Sequence, residues 1–524
     1  MAQPIRPHGV GVRGSALVRA SDLFQGPFGR LFRALPPADY GDDDAASQKN
    51  LTALAIKMTA DVEDPTDGPD PEESGIPAAF TYFGQFIDHD LTFDPASSLQ
   101  RQNDPDALID YRTPRFDLDN IYGRGPDDQP YLYADATTFL LGDPMTGGPR
   151  PAFDLPRNNA NPQRAIIGDP RNDENVIVSQ FQGLMHRFHN GIAKLHPNWK
   201  MDRIQQEVRF HYQWVVMNSF LPMIVDAGVL KTILPHIAKG TDIVKDPPIL
   251  NLYKPRNEAF MPLEFSAAAY RYGHSMVRPE YRLNDQIGPL AIFPKPTTPP
   301  QPDTGLGGFR KFPANWAIDW NRFIDINPLP YGTIPTNATP NPTDPNNKHR
   351  LQLAYRIDTS IVGPLGTLPD LVGPGMPNLA QRNLIRGWRM RLPSGQAVAR
   401  AMGLTPLPDA KIKIGKFTGT ASDIVTTMDK EGAAFAGNCP LWTYVLAESI
   451  ETTLSVPTVP AATKVKTRRL GEVGGRIVAE TFVGILASDS KSFVSMDPLW
   501  KPDPALAQSG VFGLRELIAF AVAN

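Results

Sequence analysis

Proline is the residue type that most constrains the fold of this chain, because it interrupts helices and cannot donate a hydrogen bond in a sheet. The 524 residues include 54 prolines, spread along the whole sequence, whereas about 5% is usual. The densest region is 284–347, where the strings PKPTTPPQPDTG and TIPTNATPNPTDPNN exclude regular secondary structure. The sequence therefore predicts helices separated by long surface loops.

Apolar residues recur at the three-to-four spacing of amphipathic helices between the proline-rich stretches. The helical patterns lie at 77–93, 175–195 and 202–225, and near 258–277, 377–402, 428–450, 472–487 and 512–523. Alternating strand patterns are few, and there is no internal repeat. We expect a mainly α-helical fold with little β structure. A loop-rich N-terminal extension over residues 1–75 should pack on one large domain over residues 76–524.

Composition excludes several classes of protein. A net charge of -3 gives no electrostatic reason to expect binding to nucleic acid or to an anionic membrane. Apolar runs never reach the roughly 18 residues of a membrane-spanning helix. The first twenty residues lack the apolar core of a secretory signal, and the lone Cys439 excludes an intrachain disulfide. These features predict a cytoplasmic protein or one secreted without a leader.

Three polar residues interrupt one face of the strongly apolar pattern near residue 85. On a helix, Gln85, Asp88 and His89 share a face, whereas Asp90 is rotated by about 100°. An exposed polar face would explain the three residues, but the surrounding phenylalanines and aliphatic residues predict burial. Burial makes unpaired carboxylates costly, which favours a functional site.

Two later segments combine cations with other groups of chemical interest. In GDPRNDE, Arg171 precedes a predicted helix and Glu174 follows three residues later, which would also suit a first-turn cap. In AAAYRYGH, small residues lead to His274, with Arg271 three residues earlier. Small side chains leave space beside this segment, although a lone histidine in such a helix is more often structural.

The string GQFIDHD, from Gly84 to Asp90, resembles the distal helix of the peroxidase–cyclooxygenase superfamily, and of its animal-type haem peroxidases in particular. The strings RTPRFDLDNIYG, GDPRNDE and RYGH follow in the family's order, so the resemblance spans roughly residues 77–490. The short loop after Asp90 and the missing disulfides favour a bacterial branch.

The resemblance implies a role for each distal residue. His89 would transfer protons of hydrogen peroxide, Arg171 would stabilise developing negative charge, and Gln85 would face the bound peroxide. Asp88 and Glu174 would form esters with haem b. Calcium would be bound by the carboxylates of Asp90, Asp117 and Asp119, by the hydroxyl and carbonyl of Thr113, and by the carbonyl of Arg115.

On the proximal side, the resemblance implies that His274 ligates the haem iron and that Arg271 pairs with a propionate. The strings NLIR and LPSG make Asn383 the acceptor for the other nitrogen of His274, with Asn378 as a nearby competitor, and make Arg386 a second propionate partner. His186 and His189 lie one helical turn apart but lack a third ligand at fixed spacing, so we predict no metal there.

The implied function is a haem peroxidase. It would use hydrogen peroxide to oxidise halides, thiocyanate or small aromatic donors through a ferryl porphyrin-radical intermediate. A fatty-acid dioxygenase of the same superfamily is the alternative, although Arg271 stands at the spacing of the radical-forming tyrosine and Tyr272 is one residue away. A calcium-binding adhesion module would need neither His89 nor His274.

Overall fold

The structure is a computed structural model. It describes residues 28–60, 70–93, 112–255, 258–293, 305–330, 349–369, 372–373, 375–416, 418, 425–507 and 510–524.

Helices dominate the described part of the chain. They are α1 (Asp44–Lys57), α2 (Ala79–Leu91), α3 (Asp119–Tyr122), α4 (Val176–Leu195), α5 (Met201–Val215), α6 (Leu221–Ile224), α7 (Ala227–Ile233), α8 (Pro235–Lys239), α9 (Leu263–Ser266), α10 (Gly363–Gly366), α11 (Leu379–Arg389), α12 (Gly395–Ala401), α13 (Leu441–Ala447), α14 (Glu472–Ser488), α15 (Phe493–Met496) and α16 (Leu514–Ala523). A π-helical turn, Val216–Phe220, joins α5 to α6, and two 3-10 segments, Pro170–Asp173 and Ala269–Met276, carry residues of interest.

Strands form only two-stranded sheets among the described residues. They are β1 (Phe28–Gly29), β2 (Glu73–Pro77), β3 (Pro144–Met145), β4 (Ala152–Phe153), β5 (Met261–Pro262), β6 (Glu280–Tyr281), β7 (Leu290–Ala291), β8 (Leu353–Tyr355), β9 (Lys413–Gly415), β10 (Val425–Thr427), β11 (Ile450–Val456) and β12 (Thr463–Arg469). The longest pairing is the β11–β12 hairpin, in register from Ile450 with Arg469 to Val456 with Thr463. The mainly α fold with little β structure is confirmed.

Helix α2 is almost wholly buried because aromatic residues cover its sides. Phe83 and Phe86 pack against Phe181 of α4 with ring centroids 5.7 and 5.3 Å apart. The Asn175 side chain caps α4 by accepting from two backbone amides of its first turn. The packing leaves Gln85 and Asp88 as the less buried part of α2.

Three regions differ from the sequence predictions. The helix predicted near 258–277 is replaced by β5, α9 and the 3-10 segment Ala269–Met276. The region expected to be loop-rich contains α1, capped by Asp43 and packed with Leu51 and Leu54 inward; its closely mixed polar and apolar residues hide this helix in the sequence. The predicted helix near 428–450 is wrong except for α13. Positive φ values at Gly432 and Gly437, followed by Pro440, break the pattern. Part of the 284–347 loop lies outside the described residues.

None of the helices in the described ranges combines the length and apolar character needed to cross a bilayer.

Glu73 ties the start of the fold to the region that follows His274. Its buried carboxylate accepts hydrogen bonds from Arg278 and from Arg350, the latter at 2.6 and 2.7 Å. Arg350 and Arg278 hold the pKa of Glu73 below its usual value although burial alone would raise it. The ion triad therefore joins β2 to two distant segments of the chain.

Glu73→Gln should destabilise the protein by about 3–5 kcal/mol, because two buried guanidinium groups would lose their carboxylate. Denaturant unfolding measures the loss. The matched control is Glu451→Gln, whose ion pair with Lys466 is exposed and should contribute less than about 1 kcal/mol. Equal stabilities of the two variants would show that the triad does not hold these segments together.

Candidate active site

One cavity of about 390 Å³ brings together seven of the residues that the sequence singled out. Its walls come from α2, the 170–175 segment, the 3-10 segment Ala269–Met276, α10 and α11. The predicted site residues that line it are Gln85, Asp88, His89, Arg171, Glu174, Arg271 and His274. Segments far apart in sequence therefore form one chamber.

His89 is held by an amide on the side away from the cavity. Its Nδ1 lies 2.6 Å from Oδ1 of Asn172, and both residues are buried. Burial, together with the positive charge of Arg171, lowers the pKa of His89 to about 4. The ring is therefore neutral near pH 7 and able to accept a proton.

Arg171 is fixed by a buried carboxylate. Its Nη2 donates to Asp169 Oδ2 at 2.7 Å and to the backbone carbonyl of His89 at 3.0 Å. Asp169 also accepts from Arg112. Burial would raise the pKa of Asp169, but the two guanidinium groups hold it well below its usual range. The Phe93 ring stacks 4.6 Å from the Arg171 guanidinium carbon.

Gln85 connects two residues of the 170–175 segment with α2. Its amide donates to Oε1 of Glu174 at 3.3 Å, and its oxygen accepts from Asn175 at 3.3 Å. Burial raises the pKa of Glu174 to about 7. Asp88, one turn along α2, accepts from the Thr92 hydroxyl at 3.2 Å. The carboxyl groups of Glu174 and Asp88 thus border the same cavity, the first bonded to Gln85 and the second to Thr92.

Behind His274 lies a polar pair. Nδ2 of the fully buried Asn383 is 2.8 Å from His274 Nδ1, and Oδ1 of the same amide accepts from Arg271 at 3.1 Å. Burial, with the charge of Arg271, lowers the pKa of His274 to about 3, which keeps the imidazole neutral. Asn378, the competitor for this position, instead caps α11.

A different arginine from the expected one lines the cavity. Arg382 is among its lining residues and Arg386 is not. On α11 the two are related by i and i+4, so Arg386 lies one turn farther along the same face. Burial lowers the pKa of Arg382, as happens to a cation removed from water without a counter-ion.

Three carboxylates meet beside the other end of α2. Ligand oxygens of Asp90, Asp117 and Asp119 all lie within 4.8 Å of one another. Asp90 is fully buried, and neither of its oxygens has a hydrogen bond of normal geometry among the described residues. Burial and the two neighbouring carboxylates raise the pKa of Asp90, while weaker interactions with the Leu118 amide and the Tyr212 hydroxyl lower it.

The loop around this acidic cluster is held by its own side chains. Thr113 donates to Asp117 at 2.7 Å, and Arg112 approaches Asp119 at 3.1 Å. Leu118 has a left-handed φ of 60°, which turns the loop sharply between the two aspartates. The guanidinium of Arg115 points elsewhere, lying 4.0 Å from Asp489.

His186 and His189 have structural surroundings. His186 stacks on Phe139 at 4.4 Å, and His189 contacts the Tyr122 hydroxyl at 2.9 Å and the Thr137 carbonyl at 2.7 Å. Within the described ranges, the acidic cluster is the one group of side chains with metal-site geometry.

Residues 96–298, less than half of the chain, match the family model described as animal haem peroxidase. Myeloperoxidase from Mus musculus is 28% identical over 182 residues, which cover 33% of this chain and 22% of that protein. The chain is similar to animal haem peroxidases over this part of its length. The match thus spans about a fifth of the length of this curated relative.

Two solved structures share the fold of this chain. Peroxidase A from Dictyostelium discoideum has a TM-score of 0.58, with 16% identity, over 96% of this chain and 94% of that chain. A fatty acid alpha-dioxygenase from Oryza sativa, solved with palmitic acid, has a TM-score of 0.54, with 14% identity, over 96% of this chain and 82% of its own. Such low identities establish a shared fold only.

The matched family implies haem as the cofactor, and the cavity of this chain fits that group. Its walls are largely apolar, as a porphyrin requires. The half-buried guanidinium of Arg382 and that of Arg271 would suit the two propionates. Gly273, beside His274, has nothing within 4 Å of the position that a Cβ would take, so a flat group would meet no side chain there.

Several residues of this site were missed from the sequence alone. Asn172, Asp169, Arg112 and Arg382 all contact or neighbour predicted residues. Asp169 and Asn172 flank Arg171 in GDPRNDE, where they suited a helix cap equally well. That adjacency was the available signal; Arg112 and Arg382 had none, because only folding brings them to the cavity region.

Proposed function

We propose that this chain is a haem peroxidase that uses hydrogen peroxide to oxidise halides, thiocyanate or small aromatic donors. One observation carries the proposal. A neutral buried histidine, His89, and a fixed cation, Arg171, line the same cavity as His274, a second neutral histidine backed by an amide. Proton transfer and charge stabilisation, which peroxide cleavage requires, would thus be available beside a histidine able to ligate iron.

Haem would be held by residues on one side of the cavity and would supply the redox chemistry. His274 would ligate the iron through Nε2, because Nδ1 faces Asn383. The Asn383 oxygen accepts from Arg271, and Nδ2 of the same amide faces His274 Nδ1. For Asn383 to accept from Nδ1, its amide would have to be reversed and Arg271 would have to give up that hydrogen bond to pair with a propionate. Arg271 and Arg382 would pair with the propionates, with Arg386 one turn beyond them.

The residues on the other side would act on hydrogen peroxide. Nε2 of His89 would take the proton from the nearer peroxide oxygen and return it to the departing oxygen, so that water leaves. The Arg171 guanidinium would stabilise the negative charge on the departing oxygen. Gln85 would orient the peroxide, since its own amide is held between Glu174 and Asn175.

A fatty-acid dioxygenase is the alternative. The fold shared with the Oryza sativa enzyme supports it, but the residues of the cavity do not. Arg271 stands at the position expected of the radical-forming tyrosine, and its side chain donates to Asn383 and to the Ser266 carbonyl. Tyr272 lines the cavity one residue away.

Purified protein supplied with haem should show a Soret band and should oxidise guaiacol or bromide only when peroxide is added. His274→Ala should abolish the histidine-ligated spectrum, whereas His349→Ala, at a histidine whose side chain is half exposed, should leave it unchanged. A colourless wild-type protein would refute the proposal. Oxygen uptake with palmitate, without peroxide-driven guaiacol oxidation, would establish the dioxygenase instead.

We also propose that Asp88 and Glu174 form ester links to haem, each carboxyl oxygen replacing one hydrogen of a haem methyl group, with hydrogen peroxide as the two-electron oxidant and water as its product. Both carboxyl groups line the cavity. The raised pKa of Glu174 leaves a share of it protonated near neutral pH, and a carboxyl group that is not fully ionised is easier to bring against a porphyrin edge. Asn175 follows Glu174, so a third link of the sulfonium type has no methionine at that position.

After turnover with peroxide, wild-type haem should stay with the polypeptide in acidified organic solvent. Asp88→Val combined with Glu174→Gln should release it, because neither side chain could then form an ester. Asp154→Asn, at a buried aspartate that pairs with Arg157 away from the cavity, is the control and should retain haem. Retention by the double variant would contradict the assignment.

We further propose that the acidic cluster binds calcium. A cation would offset the repulsion of three carboxylates whose ligand oxygens lie within 4.8 Å of one another. One of them, Asp90, is fully buried with no normal hydrogen bond among the described residues. Calcium prefers 6–8 oxygen ligands, and Thr113 lies within hydrogen-bond distance of Asp117. The carbonyls of Thr113 and Arg115 would complete the set.

Chelation should therefore lower the unfolding temperature of the wild-type protein, because calcium at 100 times its Kd stabilises by about 2.7 kcal/mol. Asp90→Asn should bind less calcium by elemental analysis and should respond less to the chelator. Asp128→Asn, at an exposed aspartate that pairs with Arg124 in a turn, should behave like the wild type. Wild-type protein without calcium and without a chelator effect would overturn the proposal.

A further inference from the structure

Asn172 stands behind His89, outside the set of residues that line the cavity. We infer that Asn172 is a positioning residue that holds His89 in the tautomer protonated at Nδ1, with Gln182 fixing the orientation of the Asn172 amide. The inference rests on the proposed function, since it concerns the nitrogen that would accept the peroxide proton.

The first contact is short and buried. His89 Nδ1 lies 2.6 Å from Asn172 Oδ1, and Asn172 is fully shielded from solvent. An amide oxygen only accepts hydrogen bonds. If this oxygen faces the ring, Nδ1 carries the hydrogen, and Nε2 has the free lone pair. The assignment of oxygen and nitrogen in Asn172 therefore decides the chemistry of His89.

The surroundings of Asn172 determine that assignment. Its Nδ2 donates to Oε1 of Gln182 at 2.8 Å. Gln182 in turn presents Nε2 to the backbone carbonyl of Asn120 at 3.4 Å and to Nε2 of His186 at 3.0 Å. A backbone carbonyl cannot donate, so rotating the Gln182 amide would place two oxygens against each other. The carbonyl oxygen of Asn120 therefore fixes which group donates and which accepts in each hydrogen bond from Gln182 to His89.

The hydrogen-bonded path also returns to the helix on which it starts. Asn120 donates through Nδ2 to the carbonyl of Phe86, one turn before His89 on α2. Asn120, Gln182 and Asn172 are all completely buried. Water is thereby kept from competing for these groups, and the imidazole plane is held relative to its own helix.

As a consequence, His89 is held ready to act as a base before peroxide binds. With Nδ1 committed to Asn172, the ring nitrogen left for the cavity is Nε2 in its unprotonated form. A ring that could rotate or exchange tautomers would spend part of its time presenting an N–H, which cannot accept the peroxide proton.

The test compares Asn172→Leu, Gln182→Leu and the double variant with the wild type in haem-loaded protein. The first readout is the association rate of cyanide, because hydrogen cyanide must lose its proton to a distal base before the anion binds iron. We expect Asn172→Leu to slow association about 10- to 100-fold, the usual range for losing the hydrogen-bond partner that orients a functional histidine. Gln182→Leu should slow it less, and the double variant should be no slower than Asn172→Leu, since both act through one amide.

The second readout is the ring nitrogen-15 spectrum of His89 in haem-free protein, assigned by its loss in His89→Gln. The wild type should show the tautomer protonated at Nδ1, and Gln182→Leu should show a mixture. The matched control is Gln180→Leu, which removes a buried glutamine of α4 whose hydrogen bonds within the described residues go to the backbone of Trp316 and Ile318. It should change neither readout.

Cyanide association in Asn172→Leu within twofold of the wild type, or a wild-type His89 protonated at Nε2, would overturn the inference. If Asn172→Leu does not fold, Gln182→Leu with an unchanged tautomer would overturn it equally. Failure of the proposed function itself is distinguishable, because wild-type protein would then either bind no haem or, with haem bound, show no peroxide-driven oxidation of guaiacol or bromide.

Discussion

The architecture around the cavity depends on the pairing of one buried carboxylate, that of Asp169, with two guanidinium groups. Charges removed from water are stable only when they are paired and hydrogen-bonded. Asp169 receives Arg171 on one side and Arg112 on the other, and its side chain also caps the 3-10 turn that begins at Pro170. That turn presents Arg171 and Glu174 to the cavity and Asn172 to the back of His89.

The same pairing links the cavity to the acidic cluster. Arg112 bridges Asp169 and Asp119, so the loop that carries Asp117 and Asp119 is joined through two ion pairs to Arg171. Helix α2 supplies the second link, because His89 faces the cavity region and Asp90 faces the cluster. Two successive residues of α2 thus belong to two different sites, the cavity and the acidic cluster.

The part played by sequence differs between the two sides of the site. Around α2, periodicity alone placed Gln85, Asp88 and His89 on one face, and the structure lines the cavity with all three. Around α11, the spacing Asn-x-x-Arg suggested Arg386, but the position of the helix against the cavity brings Arg382 to the wall. Arg382 and Arg386 lie on the same face of α11, one turn apart, and the sequence does not show which of the two turns borders the cavity. Short-range patterns also missed α1 and overextended the helix near 428–450, since packing decided the first and glycine conformation the second.

By itself the sequence determined the mainly α character, the bounds of α2, α4 and α14 to within a few residues, and the chemical groups available to a site. Local periodicity and side-chain chemistry are properties of short stretches, so they can be read without the fold. Only the tertiary structure decided that Asp169 pairs with Arg112, that Asn172 contacts His89, and that Gln182 orients Asn172. These contacts join residues 10 to 83 positions apart, and they exist because folding buries polar groups that must then find partners.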